Sequence, residues 1–331
     1  MSSMSCRAGS SVGGCAGPGG RCRRRQRSSW PGRTATSRWD TWYAVVMAQE
    51  FVDLGDGTRV WTDSCYPTGA SVAMVLVHGG PGLWDYLGPV AALADPLAGT
   101  HRFDQRGCGR SFGTRGFTLA GLLGDLEALR VHFGHQRWVV FGHSFGATLA
   151  LEYAAGYPQA VAGLVYCSGV GFGDRWRREY RSTSEARLAP AQRARRDRLG
   201  ARQRSWAEEV EWRQLCWLPD YADPTKAAAW AFQDASVELA INWDVHHALR
   251  TDVDGLDEAG QRTRCQTVTC PALVLHGAGD PRPLWSAAEV AEAIPHADFV
   301  EIPGAGHYPW REQPDLIRDH LQAFLTTTGD P

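Results

Sequence analysis

Six short strand-like segments recur between helical patterns, and they limit this chain's fold more than any other feature. Val72–Val77 is apolar at every position. A strand with no polar face is one buried on both faces, as in a sheet covered on each side by helices. Similar segments stand at Thr100–Phe103, Trp138–Phe141, Gly163–Tyr166, Ala272–Leu275 and Phe299–Ile302. Between them lie helical patterns. Leu119, Leu122, Leu123, Leu126 and Leu129 form a stripe at helical spacing, and Ala147–Ala155, Ser286–Ile294 and Gln313–Phe324 also read as helices. Alternation of this kind predicts an α/β fold with a mostly parallel sheet and helices on both faces.

Ahead of the first buried strand, Phe51–Leu54, Asp56-Gly57 and Thr58–Asp63 read as a hairpin. One interval breaks the rhythm. About 105 residues separate the strand at Gly163 from the one at Ala272, far more than a crossover needs. Residues 172–265 are helical in pattern and carry Trp176, Trp206, Trp212, Trp217, Trp230 and Trp243. This predicts a helical cap inserted over the C-terminal strand ends, its tryptophans mostly in the cap's own core. The α/β core is then 47–171 plus 266–331.

Residues 1–46 have no hydrophobic period. Their charge is +7 and that of the remainder is -9. They read as an extension outside the folded body, either disordered or upstream of a true start at Met47. They hold no apolar stretch of the roughly 7–15 residues that a secretory signal needs. No run approaches the roughly 18–20 apolar residues that cross a bilayer. The formal net charge of -2 does not suit a globally basic nucleic-acid binder. The nine cysteines include no C-x-x-C, and free thiols in a reducing, cytoplasmic compartment are the expectation. No H-E-x-x-H occurs, so neither metal nor cofactor is expected. Nucleic-acid and membrane partners are not expected either. The sequence sets no oligomeric state.

The chemistry concentrates at strand ends. Gly142-His143-Ser144-Phe145-Gly146 follows an apolar strand and opens a helix, the context of a G-x-S-x-G nucleophile elbow. A Ser hydroxyl is a weak nucleophile until a base takes its proton, and the base needs an acid to orient it. Asp280 follows the strand Ala272–Leu275, and His307 follows Phe299–Ile302. Both fall on the rim that carries Ser144, in the order Ser, acid, His. His78, His143 and His276 compete, but each sits in a strand-end turn with another task. An oxyanion needs two N–H donors. Phe145, after the nucleophile, supplies one. The loop His78-Gly79-Gly80-Pro81-Gly82 supplies the other, from Gly80 or alternatively Gly79. Gly107-Cys-Gly-Arg-Ser-Phe-Gly113 has G-x-G-x-x-x-G spacing, which is not the dinucleotide fingerprint.

These residues resemble the α/β-hydrolase superfamily from about Met47 onward. His78-Gly-Gly-Pro-Gly82 with Asp104-Gln-Arg-Gly-Cys-Gly-Arg-Ser111 is similar to the proline iminopeptidase (prolyl aminopeptidase) family of serine peptidases. That resemblance implies cofactor-free release of an N-terminal residue, preferably Pro, from short peptides through an acyl-enzyme. It also implies two cap glutamates that hold the substrate's free amine, with Glu211 and Glu238 at similar spacings. Two departures stand out. The family's elbow usually reads Gly-Gly-Ser-Trp-Gly, and the aromatic residues that follow its second glutamate are replaced here by Leu239-Ala-Ile-Asn242. A carboxylesterase, lactonase or amide hydrolase acting on a small apolar substrate is the alternative.

Overall fold

The computed structural model describes residues 45–67, 70, 72–95 and 97–328, and the extension expected at 1–46 lies almost wholly outside them. The chain opens with two long antiparallel strands, β1 (Val45–Asp53) and β2 (Arg59–Pro67), paired from Asp53 opposite Arg59 to Val45 opposite Pro67. The expected hairpin is therefore present, with strands longer than the apolar pattern implied. The boundary expected at residue 47 falls inside β1.

β3 (Val72–Val77), a short helix α1 (Gly88–Ala94), β4 (Ala98–Phe103), α2 (Leu119–His132), β5 (Trp138–His143), α3 (Phe145–Gly156) and β6 (Val161–Cys167) follow. Six helices then intervene: α4 (Trp176–Ala186), α5 (Pro190–Gly200), α6 (Trp206–Trp217), α7 (Ala227–Ala235), α8 (Trp243–Asp254) and α9 (Glu258–Gln266). A 3-10 turn, Leu218–Asp220, separates α6 from α7. The chain ends with β7 (Ala272–Gly277), α10 (Leu284–Ala293), β8 (Ala297–Ile302), α11 (Pro309–Glu312) and α12 (Pro314–Thr328). Helix α1 was not legible in the sequence, because seven residues give too little period to register.

The eight strands form one sheet in the order β1-β2-β4-β3-β5-β6-β7-β8. From β4 to β8 neighbouring strands are parallel, and β2 meets β4 antiparallel. The fold is the α/β-hydrolase fold. β3 shows why its sequence is apolar throughout. Val75 and Val77 join the hydrophobic cluster built with α2 and α3, while Met74 and Leu76 join the opposite cluster with α1 and α12. The chain steps from β3 outward to β4 and then back across to β5, so the sheet's switch point lies at the C-terminal ends of β3 and β5. Open α/β sheets place ligands there.

The insertion between β6 and β7 is helical, as the pattern predicted. It does not form a core of its own throughout, since Val245 and Leu249 of α8 and Cys265 of α9 belong to the cluster under α2 and α3. Its tryptophans depart from expectation. Trp176 is buried, but Trp206 and Trp243 are 44% and 40% exposed. All six described cysteines are free thiols. No helix among the described residues is long and apolar enough to cross a membrane.

Candidate active site

Ser144 occupies a backbone conformation that only a forced turn imposes, φ 56° and ψ -121°. It is held between the end of β5 and the first turn of α3. A Cβ on Gly142 would lie 2.2 Å from the Gly146 carbonyl oxygen, and one on Gly146 would lie 2.1 Å from that of Val77. The two glycines thus let α3 start against the end of β3, which strains the Ser between them and sets it in the wall of a cavity. Gly146→Ala is expected to lower stability by about 3 kcal/mol, since backbone must move to admit one methyl. Gly124→Ala is the control. Gly124 lies inside α2 with nothing within 4 Å of its would-be Cβ. Loss of a flexible helical glycine there should add about 0.5–1 kcal/mol. Thermal melts of both variants check the contrast, which an unchanged melting temperature in Gly146→Ala would contradict.

His307 and Asp280 come together on the rim beside Ser144. His307 Nδ1 donates to Asp280 Oδ2 at 2.7 Å, and both side chains are buried. That bond turns Nε2 outward, but Ser144 Oγ makes no hydrogen bond with it in this structure. Resting sites often show such loose contacts, which tighten only with substrate. Two contacts from the insertion and α11 hold the His307 loop. The His307 N–H donates to the Asp220 carbonyl at 2.7 Å. The Glu312 carboxylate accepts from the Gly306 N–H at 2.6 Å and from the Ala222 and Asp223 N–H groups at 2.9 and 3.0 Å. Neither residue was singled out in the sequence, because nothing local marks a clamp between such distant segments.

Asp280 also accepts from the Arg282 N–H at 2.8 Å, and the Arg282 guanidinium lies 3.4 Å away. Burial alone would push the Asp280 carboxyl up, but His307 and Arg282 beside it hold it well below the usual carboxylate range. Arg282 in turn bonds Asp220 at 2.5 Å and stacks over the Tyr180 ring. The competing histidines have other partners. His78 Nδ1 donates to the Gly79 carbonyl at 2.8 Å and Nε2 accepts from the Gln105 N–H at 3.1 Å. His276 Nε2 donates to the Arg282 carbonyl at 3.0 Å and stands 3.8 Å from Asp280.

His143 decides which glycine of the β3 loop is available. Its Nε2 donates to the His307 carbonyl at 2.8 Å, so its Nδ1 must accept, and the Tyr86 hydroxyl donates to it at 2.7 Å. Burial, with His307 alongside, lowers the His143 pKa well below the usual imidazole value and so favours its neutral form. The Tyr86 oxygen then accepts the Gly79 N–H at 2.8 Å. Gly79 is thereby occupied. The Gly80 and Phe145 N–H groups have no acceptor among the described residues, and both residues line the cavity that contains Ser144.

Glu211 and Glu238 are not brought to this cavity. Glu211 is bound by Arg195 through contacts of 2.9 and 2.7 Å on the face between α5 and α6. Glu238 lines a separate surface cleft with Arg204, Trp206 and Trp243. Glu211, on α6, is turned toward Arg195, and Glu238 stands in the loop between α7 and α8, so neither lines the cavity that contains Ser144. Among the described residues no group of three or more His, Cys, Asp or Glu could hold a metal ion.

A family model described as "Alpha/beta hydrolase family" matches residues 74–320. The chain belongs to this family. Among curated α/β-hydrolase relatives, a proline iminopeptidase of Xylella fastidiosa is 29% identical over 293 residues, which cover 78% of this chain and 90% of that protein. A probable proline iminopeptidase of Streptomyces coelicolor is 40% identical over 136 residues, covering 37% of this chain. The chain spans only 40% of that relative's length, and 46% of a Saccharolobus solfataricus proline iminopeptidase. Among solved α/β-hydrolase structures, the proline iminopeptidase of Mycobacterium smegmatis aligns with TM-score 0.65 at 21% identity, over 85% of this chain and 99% of its own. The enol-lactonase of Burkholderia xenovorans LB400 aligns with TM-score 0.63 at 20% identity, over 84% and 100%. The family model and the curated relatives support a hydrolase, and the solved structures share its fold.

Proposed function

We propose that this protein is a serine hydrolase that splits an ester, lactone or amide bond of a small substrate through an acyl-enzyme. The observation that carries this reading is the 2.7 Å His307–Asp280 bond on the rim beside a strained, half-buried Ser144 that lines a cavity. In the first half-reaction His307 Nε2 takes the Ser144 hydroxyl proton as Oγ attacks the substrate carbonyl. The Gly80 and Phe145 N–H groups receive the charge that develops on the carbonyl oxygen. The intermediate collapses when His307 returns the proton to the leaving alcohol or amine. Water then repeats the sequence on the acyl-enzyme, losing its proton to His307 and releasing the acid and free Ser144. Asp280 holds the imidazole with Nε2 toward the serine and stabilises its charged form.

The relatives' names favour a prolyl aminopeptidase, which would need an ammonium site beside Ser144. The cavity there is lined by Arg177, Arg250 and Arg282, and its carboxylate, Asp254, is already held by Arg177. Glu211 and Glu238 lie elsewhere. These positions support the ester, lactone or amide reading over the aminopeptidase one. Free and N-acetylated proline p-nitroanilides and a short-chain p-nitrophenyl ester separate the two. The expected result is ester turnover, with the acetylated amide cleaved no more slowly than the free one. A preference for the free amine of about 10-fold or more, the worth of one charge-assisted hydrogen bond, would restore the aminopeptidase reading.

A further inference from the structure

We propose, resting on the hydrolase reading above, that the cavity beside Ser144 selects substrates bearing a carboxylate close to the scissile carbonyl, docked on Arg177 and Arg250. The Ser144 cavity has a volume of about 150 Å³ and opens toward a second of about 420 Å³, with which it shares Trp176, Arg177, Arg250 and Asp254.

The charges of this wall are unevenly matched. Arg177 and Arg250 both pair with a single carboxylate, Asp254, the latter at 3.4 Å. Arg282 is committed to Asp220 and Asp280. In the second cavity Glu152 is paired with Arg264 at 2.8 Å, while Arg181 and Asp174 have no ion-pair partner among the described residues. One guanidinium charge at Asp254 is therefore left over at the shared wall. An independent sign points the same way. Arg177 Nε is buried and has no hydrogen-bond acceptor. A buried N–H without a partner is costly, so a small turn of this side chain that brings the N–H to a ligand oxygen is favoured. An ammonium at the same wall would face two guanidiniums instead.

Size and polarity define the rest of the ligand. A cavity of about 150 Å³ holds a group no larger than roughly a benzene ring. Val170, Trp176, Tyr180 and Val253 supply apolar walls beside the arginines. A short aliphatic segment ending in a carboxylate fits this combination, as in a half-ester of a four- or five-carbon dicarboxylic acid. A planar guanidinium also suits a carboxylate better than an ammonium would, through paired parallel N–H donors.

Three esters test the proposal and place the anion. They are p-nitrophenyl hemiglutarate (carboxylate on the acyl side), 4-butyryloxybenzoate (carboxylate on the leaving group) and neutral p-nitrophenyl butyrate. At least one anionic ester should exceed the neutral one in kcat/KM by about 10-fold or more, and Arg177→Gln should remove that preference. The preference should also shrink as salt is raised. A wild type that prefers the neutral ester, or a preference that survives in Arg177→Gln, overturns the proposal. A second measurement stands apart from turnover. Free glutarate titrated calorimetrically should bind the wild type saturably and bind Arg177→Gln at least about 10-fold more weakly. Absence of saturable binding to the wild type also overturns it. A protein that binds glutarate but hydrolyses none of the esters, and takes no fluorophosphonate label at Ser144, would retain the anion site and lose the serine-hydrolase reading.

Discussion

Ser144→Ala is expected to reduce kcat on any accepted ester by about 10⁴-fold or more while leaving the fold intact. The size follows from the proposed chemistry. Without Oγ no acyl-enzyme forms, and only the cavity and the Gly80 and Phe145 N–H groups remain to help a water attack. The melting temperature should not fall, because the elbow's strain belongs to the backbone at φ 56° and the side chain does not cap α3 with a hydrogen bond that the change would break. Labelling supplies the complementary result. A fluorophosphonate should modify the wild type at Ser144, located by mass spectrometry, and should leave the variant unmodified. A label at another residue, or a variant retaining a tenth of wild-type turnover, would refute the assignment.

The second large effect is expected from Asp280→Asn, on the order of 10⁴-fold in kcat. The Asn amide fills the same space but can present an N–H where His307 Nδ1 now finds an acceptor, and that favours the wrong imidazole tautomer. Because Asp280 acts through His307, a second readout separates orientation from simple loss of packing. The carboxyl's pKa in the folded protein lies below its ordinary value, through His307 and Arg282. Its stabilisation is therefore full above the unfolded value of about 4 and is lost as pH falls toward the folded value. Melting temperatures of wild type and Asp280→Asn should differ most near neutrality and converge in strong acid. A gap that stays constant from about pH 7 to pH 2 would show that the carboxylate's charge contributes nothing to holding the loop.

Much of this arrangement was legible before any coordinates. The continuous apolar run Val72–Val77 announced a strand covered on both sides, and Met74 and Val75 do face opposite clusters. Gly142 and Gly146 could be read as steric necessities of the turn, and each proves to have no room for a methyl. Such features are local. A strand's burial is written in its own six residues, and an elbow's geometry in its own five.

What stayed hidden depends on segments far apart in the chain. The spacing of Glu211 and Glu238 matched an amine-binding pair, yet one faces Arg195 and the other a different cleft. Spacing places a residue along the chain, but the packing of α6 and the path of the loop between α7 and α8 set which way Glu211 and Glu238 face. The same reason conceals the Asp220 and Glu312 clamps on the His307 loop, which join the insertion to the C-terminal end of the sheet.

By itself, the sequence determined the alternation of strands and helices and the glycine-flanked elbow at Ser144, because each is fixed by contacts within a few residues. Only the tertiary structure decided that the Gly79 N–H is taken by Tyr86 while that of Gly80 is not. It alone also gathered Arg177, Arg250 and Arg282 around Ser144. Those three arginines come from α4, α8 and the loop after β7; only Arg177 lies in a stretch dense with arginine, and nothing local sets any of the three apart from solvated charge. Their common direction arises only when the insertion packs over the strand ends, where a long-range fit, and no short-range pattern, sets the charge that a substrate meets.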